Sequence, residues 1–153
     1  AAGGPVDLKE QLKTGYQGYR VHLDGYNQLD LLLDKGKSKR KEIIYYEGTT
    51  LQAVRYGDWK AHFIVQNEGW FGPKEKLGAP LLFNLRRDPY EKAAEESGNY
   101  VEFLGKNMWA FGPAKRIVQQ HLATFKEFPS RSESAQSNAK EIEEMSRQDE
   151  LGQ

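Results

Sequence analysis

The chain has 153 residues, and its 22 Lys and Arg residues balance 22 Asp and Glu residues. This length fits one domain with its own apolar core, and the zero net charge argues against nucleic acid as a partner, because phosphate binding normally leaves a basic excess. The lack of cysteine excludes a disulfide scaffold and a thiolate site, and no apolar run approaches the roughly 20 residues that span a membrane.

The first 18 residues are rich in Gly, Ala and Pro around a short polar stretch, which favours a connector over a packed element. They lack the basic start and apolar stretch of a signal peptide, so we expect any export signal to lie upstream. Tyr19–Leu23 alternates enough to predict a short strand, and Asp24 and Gly25 predict a turn after it.

A short helix and a basic loop are predicted next. Asn27 can cap a helix that runs to Leu33 and carries leucines on one face. Lys35–Lys41 then places five cations among seven residues. Charge runs of this kind usually lie in water, so we interpret this segment as a solvated loop, with a local basic patch as the alternative.

The middle of the chain predicts an antiparallel sheet. Three β-branched and aromatic segments are separated by turn residues, and a tight hairpin is expected at Gly57 and Asp58. A long loop and a short apolar segment follow. The predicted strands are Glu42–Glu47, Leu51–Tyr56, Trp59–Gln66 and, beyond a loop at Asn67–Pro80, Leu81–Asn84.

A long amphipathic segment, Tyr100–Phe128, is predicted to cover this sheet, because its apolar residues recur at helical spacing. Pro113 interrupts it, which predicts a kink or two successive helices with Pro113 near the start of the second, and Pro129 ends it. The predicted fold class is therefore α+β, a four-stranded antiparallel sheet covered by a long, kinked C-terminal helix. The polar residues 132–153 are expected to be mobile or to form a solvated helix at 139–148.

Four phrases, in this order and spacing, resemble the C-terminal subdomain of bacterial arylsulfatases. They are Val21–Leu32, Lys37–Tyr46, Leu51–Phe63 and Leu81–Glu91. The segment around Trp109 and the exit at 125–131 also look like that family. The resemblance implies three parts: a connector at 1–18 from an upstream sulfatase domain, the subdomain at 19–131, and a polar tail at 132–153.

The resemblance also implies a parent enzyme that hydrolyses sulfate esters and is periplasmic or secreted. In the family, the chemistry uses formylglycine, made from a Cys/Ser-x-Pro-x-Arg motif, and a calcium ion held by Asp and Asn. Pro129 and Arg131 match the end of that motif, but Glu127 occupies the nucleophile position and cannot be converted. We therefore expect this chain alone to be inactive and to hold no metal or cofactor, with calcium and formylglycine in the upstream domain.

The expected partners are that upstream catalytic domain and, through the apolar surface left when it is removed, a second copy of the chain. The alternative is a stand-alone binding or oligomerisation module with the same fold. The sequence does not determine which sulfate ester the parent enzyme would hydrolyse.

Four residues are candidates for the substrate rim. Lys60 and His62 share one face of a predicted strand, and we hypothesise that they border the cleft; the alternative is an ordinary polar face or domain contact. The three histidines show no metal-ligand spacing. Trp70 and Phe71 lie in a long loop between glycines, which favours a contact with the active-site mouth or another subunit, while packing onto the subdomain's own core is the alternative.

A second group, Asn84, Asp88, Pro89 and Glu91, is interpreted as a structural turn, since Asp can bond the amides beyond it and Pro fixes the next φ angle. Its carboxylates and the nearby arginines could form a local charged network. Acid–base catalysis is the alternative, but carboxylates beside arginine tend to stay ionised, which suits a fastener better than an acid. Trp59 and Trp109 are predicted to be core residues.

Overall fold

A computed structural model describes residue 5 and residues 7–129 of the chain. The elements follow one another in the order helix, helix, four strands, then helices. They are α1 Leu8–Thr14, α2 Leu29–Leu32, β1 Glu42–Glu47, β2 Thr50–Tyr56, β3 Trp59–Val65, β4 Glu75–Asn84, α3 Ala93–Glu96, α4 Tyr100–Asn107, a 3₁₀ turn Met108–Ala110, and α5 Phe111–Glu127.

The four strands form one antiparallel sheet in the order β1-β2-β3-β4. Gly48 and Gly57 have φ values of 58° and 54°, a conformation that glycine adopts without steric cost and that tight hairpin turns require. Tyr56 pairs with Trp59 across the second turn. The predicted meander and its hairpin at Gly57 are confirmed.

The fourth strand is longer than the sequence predicts. Residues 75–80, expected to belong to a loop, are part of β4, and Lys76 pairs with Ile64 of β3. Glu, Lys, Gly and Pro are depleted in strands, so local propensity points the other way. Pairing with β3 overrides it, and Pro80 is tolerated because β4 lies at the edge of the sheet.

The core lies between one face of the sheet and α5. Small residues, Ala110 and Ala114, are 0% and 2% exposed, which lets the helix approach the strands closely. The cluster of buried residues comprises Leu51, Val54, Ala61, Leu82, Ala110, Ala114 and Val118. Pro113 is the third residue of α5, and the 3₁₀ turn joins α5 to α4, which confirms an interrupted helix over a four-stranded sheet.

The interruption also corrects the prediction for Trp109. Its side chain is 60% exposed and stands edge-on to Trp59, with ring centroids 5.3 Å apart. A 3₁₀ turn advances the chain by 120° per residue instead of the 100° of an α-helix. This change of phase brings Ala110 onto the sheet and leaves Trp109 at the margin. Trp59 itself packs against the core.

The N-terminal part of the described chain differs from the prediction in two ways. The predicted strand at Tyr19–Leu23 is not formed: one isolated bridge joins Tyr16 to Tyr19, and the N–H of Val21 donates to the carbonyl of Leu12 at 3.0 Å. Among the described residues, this alternating segment pairs with none of the four strands of the sheet. The expected connector contains α1, a short helix that buries no residue.

The N-cap of the short helix α2 is Gln28 and not the predicted Asn27, although Asn27 Oδ1, one residue earlier, accepts the N–H of Leu29 at 3.0 Å. Its leucines stay in solvent within this chain: Leu31, Leu32 and Leu33 are 43%, 74% and 52% exposed. No helix in the described range is long and apolar enough to cross a membrane. The predicted tail at 132–153, with its helix at 139–148, lies outside the described residues.

Candidate functional site

Three polar side chains converge on the sheet face opposite α5. Lys60 Nζ lies 2.7 and 3.0 Å from the two carboxylate oxygens of Glu91, and His62 Nε2 lies 2.5 Å from Oε2 of the same carboxylate. We call Lys60, His62 and Glu91 the Glu91 cluster. The side chains are 14%, 20% and 25% exposed, so the cluster is largely shielded from water.

The strand geometry explains two members of the cluster. Alternation along β3 turns Ala61 into the core, at 0% exposed, and therefore places Lys60 and His62 together on the other face. The ammonium of Lys60 lies 4.6 Å from the ring centroid of Tyr45, a cation–π contact. His62 meets the ring of Phe83 edge-on at 5.5 Å.

The third member comes from the turn after β4. Asn84 Oδ1 accepts the N–H groups of Arg86 and Arg87 at 3.2 and 3.3 Å. Asp88 then accepts the N–H groups of Lys92 and Ala93 at 3.0 and 2.8 Å. Side chains of this kind fix the backbone of a turn, and Pro89 restricts the φ angle in the middle of it.

Glu91 completes the turn with a φ of 59°. This left-handed conformation costs a residue with a Cβ atom about 1–2 kcal/mol, and the two contacts to β3 hold it in place. The sequence suggested a local charged network between the carboxylates of this turn and the nearby arginines. In the structure the Glu91 carboxylate is bound by Lys60 and His62. Arg86 instead lies 3.9 Å from Asp58.

Burial, reinforced by the Lys60 ammonium, lowers the pKa of His62 despite the Glu91 carboxylate. The carboxylate is shared with Lys60, so a neutral imidazole that donates its Nε2–H to Glu91 satisfies the contact. The cluster then holds one ammonium against one carboxylate. This arrangement fastens the turn to the sheet, and it leaves both oxygens of Glu91 already engaged.

Trp70 and Phe71 lie at the corner of a tight turn, residues 69–72, which we call the aromatic turn. They are 89% and 97% exposed, so the alternative that they pack onto the subdomain's own core is wrong. The aromatic turn lies beyond the end of β3 at Val65 and is held by Gln66, which follows His62 by four residues, or about 13 Å along an extended strand. The structure therefore does not bring the two pairs of rim candidates together.

A further pair of residues was not singled out by the sequence. Tyr46 Oη lies 2.9 Å from His121 Nε2, joining β1 to α5 across 75 residues. Burial raises the pKa of Tyr46 to about 12, and burial, with His22 nearby, lowers the pKa of His121.

In the part of the chain that the structure describes, no group of three His, Asp or Glu side chains is placed to hold a metal ion.

Residues 38–149 match the protein family described as the C-terminal region of aryl-sulfatase. Human N-acetylgalactosamine-6-sulfatase is 31% identical over 121 residues, which cover 65% of this chain and 22% of the human protein. Human arylsulfatase A is 36% identical over 87 residues, 46% of this chain and 17% of that protein. The arylsulfatase of Hemicentrotus pulcherrimus is 29% identical over 124 residues, 65% of this chain and 21% of that protein.

A solved structure is also similar. The crystal structure of PsFucS1 sulfatase from Pseudoalteromonas sp. matches with a TM-score of 0.52 and 27% identity, over 64% of this chain and 20% of that one. The chain thus spans about a fifth of the length of the relatives it matches.

Proposed function

This chain belongs to the family of aryl-sulfatase C-terminal regions, and we propose that it is the C-terminal subdomain of a sulfuric ester hydrolase whose chemistry lies in an upstream catalytic domain. The observation that carries the proposal is the family match, because residues 38–149 include the whole sheet and all of α5. The proposed parts are the connector at 1–18, the subdomain at 19–131 and the tail at 132–153. The proposed compartment of the parent enzyme is periplasmic or extracellular.

We assign calcium and formylglycine to the catalytic domain, because the residues that the structure describes do not fit them. Formylglycine is made from Cys or Ser, and Glu127 stands at that position in the only partial motif that we identify. Calcium prefers several converging carboxylate and carbonyl oxygens, whereas the Glu91 carboxylate is shared by Lys60 and His62. We therefore assign no step of sulfate-ester hydrolysis to the described residues.

The role that remains for the chain is structural and, in the parent enzyme, rim-forming. We propose that Lys60 and His62, on the sheet face opposite α5, and Trp70 and Phe71, on the aromatic turn, border the substrate cleft. The exposed leucines of α2 supply apolar surface for the contact with the catalytic domain, since surface of this kind marks an interaction site. The relatives named for N-acetylgalactosamine-6-sulfate support a carbohydrate sulfate ester as the substrate class.

Turnover of 4-nitrophenyl sulfate tests this assignment. The isolated chain is expected to release no nitrophenol, whereas the product of the complete reading frame is expected to do so. In that product, conversion of the Cys or Ser of its Cys/Ser-x-Pro-x-Arg motif to Ala is the matched control and should abolish turnover. Turnover by the isolated chain, or a complete frame without that motif, would contradict the proposal.

The alternative, a stand-alone binding or oligomerisation module, is favoured by the same exposed leucines, Leu31, Leu32 and Leu33. Sedimentation velocity of the isolated chain separates the two. A stable dimer that the charge substitution Leu32→Glu converts to a monomer, together with a complete frame that lacks a catalytic domain, would favour the module.

A further inference from the structure

We propose that residues 13–22, which we call the strap, form a proton-operated latch on the carboxyl end of α5. The latch is closed while His22 and His121 are neutral, and it is released when they gain protons. Every contact that carries this latch lies within the chain itself, so it stands independently of the proposed function. The strap overlaps the proposed connector at 1–18, and its release would loosen that connector from the subdomain.

One carboxylate at the end of α5 binds two cations of the strap. Oε1 of Glu127, the last residue of α5, lies 3.0 Å from Lys13 Nζ and 3.4 Å from Arg20 Nη2. Cations are also favoured at this end of a helix, where unpaired carbonyl groups carry partial negative charge. The three side chains are between 44% and 55% exposed, and exposed ion pairs stabilise only weakly. The strap is therefore attached weakly enough for a small change in local charge to release it.

Two imidazoles lie against successive aromatic rings at this end of the helix. His121 meets the ring of Phe125 edge-on, with centroids 5.2 Å apart. His22 of the strap packs on the ring of Phe128, the C-cap of α5, also at 5.2 Å. Residues 121, 125 and 128 are spaced four and three apart, so they share one face of the helix. The guanidinium of Arg20 lies 5.5 Å from the centroid of the Phe128 ring, so the strap brings a cation and an imidazole to the face that carries His121.

The surroundings of His121 disfavour its charged form while the strap is in place. Tyr46 of β1 faces Nε2 of His121 at 2.9 Å, and His22 and Asp24 face it from the N-terminal segment. Burial, followed by the charge of His22, lowers the pKa of His121, and Asp24 opposes this with a smaller effect. Release of the strap would remove the repulsion and reduce the burial, so the released chain binds a proton at His121 more readily than the latched chain. Release is consequently favoured as the pH falls through about 6.5.

The experiment uses the whole chain, which has no cysteine, so Thr14→Cys supplies a unique thiol for a nitroxide label next to Lys13. While the strap is latched, the nitroxide broadens the amide NMR signals of the last turn of α5. We expect these signals to sharpen from pH 7.5 to pH 5.5 as the opening constant of the strap rises about threefold or more, within the limit of about tenfold per pH unit for one proton. Glu127→Gln should sharpen them at both pH values. Glu10→Gln, which changes an exposed carboxylate of α1, is the matched control and should behave as the wild type does.

A histidine variant of the labelled chain tests the proton dependence. His22 is exposed, so His22→Gln should fold as the wild type does. It should raise the pKa of His121, measured from the ring C–H signals, and reduce the sharpening between pH 7.5 and pH 5.5. The latch is refuted if the wild-type signals are equally broad at both pH values, or if His22→Gln leaves both the pKa of His121 and the sharpening unchanged. Equal effects of Glu127→Gln and Glu10→Gln would refute the role of Glu127. None of these readouts requires sulfatase turnover.

Discussion

Replacement of Glu91 by glutamine should destabilise the fold far more than the same change at an exposed carboxylate. Glu91→Gln keeps the shape of the side chain but removes the charge that faces Lys60, whose side chain is 14% exposed. Breaking a fully buried ion pair costs about 3–5 kcal/mol, and the residual exposure of 25% at Glu91 reduces our expectation to about 2 kcal/mol. For a urea dependence of about 2 kcal/mol per molar, the unfolding midpoint should fall by about 1 M.

The matched control is Glu96→Gln. Lys92 and Glu96 also lie 2.7 Å apart, but their side chains are 60% and 62% exposed, so we expect no measurable shift. A double-mutant cycle with Lys60→Met isolates the coupling between Lys60 and Glu91. If Glu91→Gln and Glu96→Gln shift the midpoint equally, within about 0.5 kcal/mol, then Glu91 does not fasten the turn to β3.

Three further predictions concern pH and packing. Burial lowers the pKa values of His62 and His121 from 6.5. Below about pH 6.5 these histidines therefore bind protons more readily in the unfolded chain than in the folded one. The free energy of unfolding should consequently fall from pH 7 to pH 5. The double variant in which both histidines are replaced by Gln should show a flatter profile in urea titrations. Tyr100→Phe should cost about 1–3 kcal/mol in thermal unfolding, because its hydroxyl bonds both the N–H and the carbonyl of buried Leu82 at 2.8 and 3.1 Å. Ala114→Leu should cost about 1–3 kcal/mol by overpacking the helix against the sheet, measured by urea denaturation.

Controls for these variants come from exposed positions of the same residue types. Tyr90→Phe, at 81% exposed, should leave the melting temperature unchanged, and a Tyr100→Phe variant with the same melting temperature would refute the role of its hydroxyl at the edge of β4. Ala123→Leu, at an exposed position of the same helix, should be neutral, and an equally neutral Ala114→Leu would mean that α5 does not pack closely. A pH profile unchanged by both histidine substitutions would show that other groups control it.

Local sequence signals predicted the elements that depend on neighbouring residues. The alternation of Trp59–Val65 indicates both the strand and its two faces, because side chains change sides at every residue of a strand. Pro113 indicates the interruption before α5, since proline is accepted only in the first turn of a helix. Gly57 indicates the hairpin. Each of these signals acts within a few residues of its position.

Elements that depend on distant partners were predicted poorly. Residues 75–80 become strand because β3 lies beside them, although their own composition disfavours it. Tyr19–Leu23 alternates but finds no strand to pair with. Trp109 is exposed because of the phase of the 3₁₀ turn, which the apolar spacing does not reveal.

The candidate site shows the same division. The sequence by itself determined that Lys60 and His62 share a strand face and that a turn at Asn84 and Asp88 precedes Glu91. Only the tertiary structure decided that Glu91 reaches both side chains, from 31 and 29 residues away. The reason is physical: a turn fixes the direction of the chain by local hydrogen bonds, but the charge that it meets is set by how β3 and β4 pack.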